Sequence, residues 1–388
     1  MPNKIRLLTP GPTTIPERIQ RVMGMPILHH RSPEFKPIFK EAQTGLKKLF
    51  QTSQDVLLLS SSGTGAMESV IVNCFEPGEK ICVIEGGKFG QRWGKLGQTF
   101  GLETLIIKIE WGAPVEIAQI EEVFQTHPDI KGIFLQGVET STGVSHPVKE
   151  IASWCKQNKP ECLVGIDGIT SVGAAPMPMD EWGLDAVLTG SQKALMLPPG
   201  LAVVALSEKA WKKAFSVKGK IPKFYFDLDR ELKAQRDQNT TAWTPAISLI
   251  IGLVEALRMM EEEGWDNLFR RHAHLAYATQ EAGKALGLEL LAPLAPSPSI
   301  TAFKVPQDID GEKLVKTMRD VYGYTLAGGQ EHLKGKIFRM GHMGYVDAFD
   351  LVGAWGAVEL TLKKLGWKKA PPFGTAPGAF LKAYESKV

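Results

Sequence analysis

Residues 185–200 read DAVLTGSQKALMLPPG. The apolar run 185–190 has the length and composition of a buried strand, and the small residues, two prolines and Gly200 after it form a loop. Lys193 therefore stands just past the carboxyl end of a strand, where open α/β sheets bind their ligands. A lysine held there is drawn partly out of water. Its pKa falls below the usual value of about 10.4, and its amine is freed to act as a nucleophile. A lone lysine in such a loop is ordinarily a solvated surface group, so the neighbours must decide.

Six further apolar runs share the pattern: VLLLS (56–60), KICVIE (80–85), ETLIIKI (103–109), IKGIFLQ (130–136), CLVGID (162–167) and LAVVALS (201–207). Helical stretches separate them, including AMESVIVNCF (66–75), a segment through about 90–100 and VEIAQIEEVFQ (115–125). Short apolar runs alternating with helices predict an α/β fold, a mostly parallel sheet covered on both faces. Ahead of them, TPGPTTIP (9–16) is too rich in proline and glycine for a helix and reads as an extended arm. A helical pattern over 33–50 is interrupted by Pro37. Past residue 245 the rhythm changes to two long helices, 245–264 and 268–287, ended by Gly264 and Gly287. SITAFKVP, a helix from 311, KIFRMGHMG (336–344) and a final helix then form a smaller α+β unit. The expected organisation is an arm over 1–20, a large domain over 21–260 and a small domain over 261–388, with AWTP (242–245) leading into the junction.

With 44% hydrophobic and 22% charged residues and a net charge of +3, the chain lacks the basic face that nucleic-acid binding needs. No uncharged stretch is long enough to span a membrane, the N-terminal segment has no apolar signal core, and the SKV ending is not a peroxisomal SKL signal. Cysteines 74, 82, 155 and 162 form no CxxC pair and stand beside no histidine at ligand spacing, so no metal site is expected. A cytoplasmic protein with small-molecule substrates is the expectation.

Three motifs change the odds for Lys193. Asp167 ends CLVGID, one strand candidate earlier, and a carboxylate at that point suits a protonated heterocyclic nitrogen. SSSGTGAMES (60–69) is a strand–glycine turn–helix unit, whose N–H groups and helix dipole suit a phosphate. Gly63 and Gly65 with Glu85 further on also suggest a dinucleotide site, but Glu68 fills the third glycine position and no GKS or GKT follows. In GGKFGQRWG (86–94), Phe89 is placed to stack on a flat ring, although an aromatic there also suits a core.

These segments, with TPGPT, ETSTG (139–143), IDGITSVG (166–173), TPAIS (244–248) and FRMGHMG (338–344), resemble the class V aminotransferases of pyridoxal-phosphate (PLP) fold type I. The alanine–glyoxylate and serine–pyruvate enzymes are the nearest likeness. The resemblance runs from Leu8 to about Lys364. It implies a seven-stranded large domain, PLP as cofactor, a homodimer, and Lys193 as the Schiff-base lysine and proton carrier. Asp167 would pair with the ring nitrogen. Thr64, Gly65, Ala66 and Gln192 would hold the phosphate, Phe89 would stack on the ring where relatives often carry tryptophan, and Thr140 would contact its phenolic side. Thr244 would reach the neighbouring subunit's phosphate, while a tyrosine of some relatives is Thr241 here. His29, His30 and Arg31 would lie near the mouth of the site.

Arg339, in an apolar run, needs a partner, and its fork of donors suits an amino-acid α-carboxylate. His342 beside it reads as structural. With one such arginine evident, the resemblance favours transfer from alanine or serine to glyoxylate or pyruvate. Aspartate and phosphonate aminotransferases of the same class are alternatives. A cysteine desulfurase would need a cysteine after residue 162. A soluble-hydrogenase subunit, a description given to some cyanobacterial relatives, would need metal ligands that four scattered cysteines do not form.

Overall fold

The computed structural model describes residues 4–386, so Lys387 and Val388 of the SKV ending lie outside the described residues. Seven strands build the central sheet: β1 Val56–Leu59, β2 Lys80–Glu85, β3 Glu103–Lys108, β4 Gly132–Gln136, β5 Leu163–Asp167, β6 Ala186–Gly190 and β7 Ala202–Leu206. Their spatial order is β1-β7-β6-β5-β4-β2-β3. Strand β7 is antiparallel to both neighbours, and every other pair is parallel. The expected mostly parallel α/β sheet is present, with each strand within two residues of its apolar run.

Both faces are covered, so the inner strands are apolar throughout and successive side chains feed opposite cores. Leu58, Ile84, Ile133 and Val203 join one core, with helix α1 (Phe35–Phe50) against them. Leu57, Leu59, Val83, Phe134 and Val204 join the other, packed by helix α2 (Gly63–Cys74) and by Trp93 of helix α3 (Lys88–Thr99). In α1, Phe35, Phe39, Ala42, Leu46 and Leu49 fall on one buried stripe at helical spacing. Pro37 does not interrupt this helix. It occupies the first turn, where its missing N–H has no helical partner to lose.

Helix α4 (Ile247–Glu263) adds Ile250, Leu253 and Leu257 to the first core, and so does Leu268 of helix α5 (Trp265–Ala285). The change of core therefore comes within α5, past AWTP, because α4 packs against α1 in the first core despite following that linker. From Leu275 onward, a separate core joins α5 to Phe303, Phe338 and Trp355. Its small sheet contains β8 Ile300–Lys304, β9 Ala327–Gly328 and β10 Ile337–Gly341, antiparallel in the order β8-β10-β9.

The arm connects the two parts. Arg6–Leu7 pairs in parallel with Tyr324–Thr325, Leu8 enters the small core, and the Leu8 carbonyl accepts from Gly341 N–H at 2.7 Å. A few residues on, Thr13 N–H donates to the Gln192 carbonyl and Thr13 Oγ1 to that of Lys193. Thr9–Pro16 has no helix, as its prolines and glycines predict.

Candidate active site

Strands β4, β5 and β6 end side by side at the carboxyl edge of the sheet, with Gln136 opposite Asp167 and Asp167 opposite Leu188. The loop leaving β6 turns Lys193 back over this edge. Its side chain is almost fully buried and donates to the Pro10 carbonyl of the arm. Burial lowers the ammonium pKa to about 8. The Asp167 carboxylate opposes that shift, while Arg339 and Arg92 reinforce it. The arm can lie this close because residue 11 is glycine. A Cβ there would stand 2.6 Å from Lys193 Cδ and 2.9 Å from Nζ, and Gly11 has a φ of +130°.

Asp167 is 3% exposed, and one carboxylate oxygen accepts from Ile169 N–H at 2.9 Å. Burial raises its pKa to about 6, the Ile169 hydrogen bond opposes this, and the negative Glu139 adds to it. Lys193 and Arg92 pull the other way, so the carboxylate carries its charge most readily with a cation beside it.

The α2 terminus supplies the next part. Ser62 makes no side-chain cap there, which leaves the N–H groups of Gly63 and Thr64 open to an anion, while Gly65 N–H already donates to the Ser62 carbonyl at 2.9 Å. Gly65 has no room for a side chain: a Cβ would meet Ser61 Oγ at 1.9 Å and Phe226 Cζ at 2.7 Å. Gln192 lies beside this terminus. A Cβ built on Gly190 would be 3.0 Å from Gln192 Oε1 and 3.6 Å from Gly63 N, and that Oε1 is buried without a hydrogen-bond partner. Thr64 Oγ1 accepts from Arg92 Nη1 at 2.9 Å.

Phe89 is half-buried at the start of α3, whereas Trp93, one turn on, is fully buried and stacks on Phe134 with ring centres 4.6 Å apart. The aromatic that serves the core is thus Trp93. Arg92 folds back over Phe89, its guanidinium carbon 4.8 Å from the ring centre. Thr140 Oγ1 and Thr170 Oγ1 are 2.5 Å apart in the loops after β4 and β5.

Arg339, in β10, reaches the site from the small sheet and is 5% exposed. Its Nε and Nη2 converge on the Gly328 carbonyl at 3.0 and 2.7 Å, and Nη1 donates to the Thr140 carbonyl at 2.8 Å. Three of the five guanidinium N–H groups are engaged. One remains on each terminal nitrogen, a pair suited to two oxygens of one carboxylate. Burial lowers the Arg339 pKa to about 10, opposed by Glu139, and the group stays a cation at neutral pH.

Lys193, Asp167, Thr64, Gly65, Ala66, Gln192, Phe89, Thr140 and Arg339 are therefore gathered around one sheet edge. Thr244 is not among them within the chain. It is exposed, two residues before Ala246, whose N–H donates to Ser60 Oγ at 2.9 Å. Thr241 is buried and donates to the Trp243 carbonyl. The His30 carbonyl accepts from Thr240 Oγ1 at 3.0 Å, and Arg31 borders a hollow of about 590 Å³ with Thr241 and Trp243. These residues thus accompany the 240–244 segment and share no described contact with Lys193. His342 is fully buried, its Nε2 2.9 Å from Thr301 Oγ1.

Three contributors escaped the sequence reading. Glu139 was passed over within ETSTG, where a glutamate three residues past the apolar run IKGIFLQ was the available signal. It is fully buried. One carboxylate oxygen accepts from Phe89 and Gly90 N–H, and the other from Ser141 N–H and Oγ. Arg92 stood inside GGKFGQRWG beside the chosen Phe89. The Pro10–Gly11 contact is a long-range pairing without a local signature.

All four cysteines are buried and unpaired, and burial raises the thiol pKa of each. Among the described residues, no group of three or more His, Cys, Asp or Glu side chains is arranged to hold a metal ion, and no helix is long and apolar enough to cross a membrane.

Known proteins similar to this chain place it in a family. A soluble hydrogenase small subunit from Synechococcus sp. is 41% identical, the alignment covering 96% of each chain. A serine–glyoxylate aminotransferase from Methylorubrum extorquens is 35% identical over 97% of this chain and 95% of its own. The crystal structure of ureidoglycine–glyoxylate aminotransferase from Bacillus subtilis superposes with a TM-score of 0.93, covers 99% of both chains and is 28% identical. The model of the family described as aminotransferase class-V matches residues 19–339, which takes in the sheet, the loop of Lys193 and the arginine of β10. This chain is a member of the class V aminotransferase family.

Proposed function

We propose that the chain is a PLP-dependent aminotransferase that passes the amino group of a small L-amino acid, alanine or serine, to glyoxylate or pyruvate. The observation that carries this reading is the burial of Lys193 at the sheet edge where Asp167 ends β5, together with the uncapped α2 terminus and the two spare N–H groups of Arg339.

The residues present fit that cofactor. Gln192 Oε1 lacks a partner beside the open N–H groups of α2, which suits a phosphate bearing a hydrogen or reached through water. Thr64, Gly65, Ala66 and Gln192 would hold the phosphate, Phe89 one face of the ring, and Thr140 its phenolic side. Thr244, being exposed, is available to a second subunit, in keeping with a homodimer. When bound, PLP supplies an aldehyde carbon that condenses with amines and a ring that withdraws electrons from the substrate Cα.

The chain's residues do the rest. Asp167 keeps a negative charge against a protonated ring nitrogen. Lys193 Nζ, with its pKa near 8, accepts the Cα proton once substrate frees it and gives a proton back in the second half-reaction. Arg339 fixes the α-carboxylate, which orients the Cα–H bond. The arm, laid across Lys193 through Pro10, and the small sheet keep water from the amine.

With alanine and glyoxylate the products would be pyruvate and glycine. The names of the Methylorubrum and Bacillus proteins share glyoxylate, which supports it as acceptor here. The test is steady-state transamination with alanine, serine and aspartate against glyoxylate and pyruvate. Turnover with alanine or serine at least about tenfold above aspartate in kcat/KM, a difference of ~1.4 kcal/mol, is expected. Preference for aspartate would replace the donor assignment, and no transamination would overturn the reading.

A further inference from the structure

Arg92 has no place in the roles just described, yet it lies between two of them. It follows Phe89 by three residues on α3, the spacing at which helical side chains meet, and its guanidinium covers one face of the Phe89 ring. Its Nη1 crosses to α2 and donates to Thr64 Oγ1. The group is half-buried, and among the described residues it has no ion-pair partner within 4.0 Å. A cation sheltered beside an uncapped helix terminus and lacking a counter-ion raises the positive potential at that terminus. Its charge also reaches Asp167 and Lys193, lowering the pKa of each.

The hydrogen bond has a direction. A threonine hydroxyl has one hydrogen to give and two lone pairs to accept with. Because Oγ1 accepts from Arg92, its own hydrogen is available to a further acceptor, and the α2 terminus is where an anion's oxygens would sit. The same arginine covers one face of Phe89, which leaves the opposite face for a flat ligand.

We propose that Arg92 is a positioning residue for the phosphate of the cofactor: it turns the Thr64 hydroxyl toward that group, adds an uncompensated positive charge behind it and braces Phe89 against the ring. This rests on the PLP reading above. It gives one side chain a hold on both the phosphate and the ring, and it requires no contact between Arg92 and the substrate carboxylate.

The experiment compares PLP with pyridoxal, which has the ring and aldehyde but no phosphate. Cofactor-free wild type, Arg92→Met and Arg92→Lys are titrated with each compound, followed by absorbance and quenching of protein fluorescence, with circular dichroism as a check on folding. In Arg92→Met, PLP binding weakens about 10- to 100-fold, while pyridoxal, which loses only the brace on Phe89, weakens less than about threefold. Arg92→Lys, which keeps the charge but not the fork, recovers part of the PLP affinity. In a Thr64→Val background, the Arg92→Met effect on PLP shrinks, because one route of its action is gone. Equal weakening for PLP and pyridoxal, or unchanged PLP binding, would overturn the inference while leaving the cofactor assignment standing. Failure of the wild type to take up PLP would overturn both. Should Arg92→Met not fold, Arg92→Lys and Arg92→Gln carry the same comparison.

Discussion

Arg339 Nη1 donates to the backbone carbonyl of Thr140 at 2.8 Å, a bond that ties the small sheet to the loop leaving β4. The carbonyls of Thr140 and Gly328 hold the guanidinium from two sides and point its spare N–H groups in one direction. An arginine pre-oriented in this way loses little freedom when a carboxylate arrives.

Arg339→Lys is therefore expected to raise KM for the amino donor about 100-fold, roughly 2.7 kcal/mol, with a smaller change in kcat, because an ammonium cannot satisfy both carbonyls and a two-oxygen ligand. Steady-state kinetics with alanine decide it. An unchanged KM would remove Arg339 from substrate binding.

The amine of residue 193 has a pH signature. In the cofactor-free protein its pKa is lowered to about 8, so its acylation by acetic anhydride, followed by mass spectrometry, should rise with pH around a midpoint near 8. Exposed lysines should rise near 10.4. Since the Asp167 charge holds the value up, Asp167→Asn should shift the midpoint further down. The linkage to stability has a definite sign. Between about pH 8 and 10.5 the unfolded chain binds the proton that the folded chain has released, so this group's contribution grows as pH rises through that interval and is lost as pH falls to 8. Urea titrations of wild type and Lys193→Met across that range should differ in slope accordingly.

Glu139 receives four hydrogen bonds, two of them from the first turn of α3. Replacing it with glutamine points an NH₂ at N–H donors in a site without water access. The expected cost is about 2–4 kcal/mol of stability, several degrees in Tm, measured by thermal and urea unfolding. A change under ~0.5 kcal/mol would show that the cluster adapts.

Much of this was legible in the chain because parallel strands buried on both faces must be apolar throughout, as VLLLS, CLVGID and LAVVALS are. The position of Lys193 past β6 followed from the same rule. Helix limits were less legible: α2 begins at Gly63, three residues before the apolar segment, since its first turn, Gly63–Thr64–Gly65, carries no apolar side chain to mark it. Pro37 misled because a proline breaks a helix only beyond its first turn. Arg92 and Glu139 were missed for a common reason. Each acts across two elements, and the residue spacing within one element carries no record of the partner on the other. The arm's approach through Gly11 is of the same kind.

The central claim is that the amine of Lys193 bonds covalently to PLP, and the direct measurement is borohydride reduction of the PLP-loaded protein followed by peptide mapping. The expected result is one pyridoxyl group on the peptide containing TGSQKAL, at residue 193, and none in Lys193→Ala, which should keep its fold by circular dichroism and lose transamination at least about 1,000-fold. A pyridoxyl group on another lysine, or no label on a protein that has taken up PLP, would contradict it.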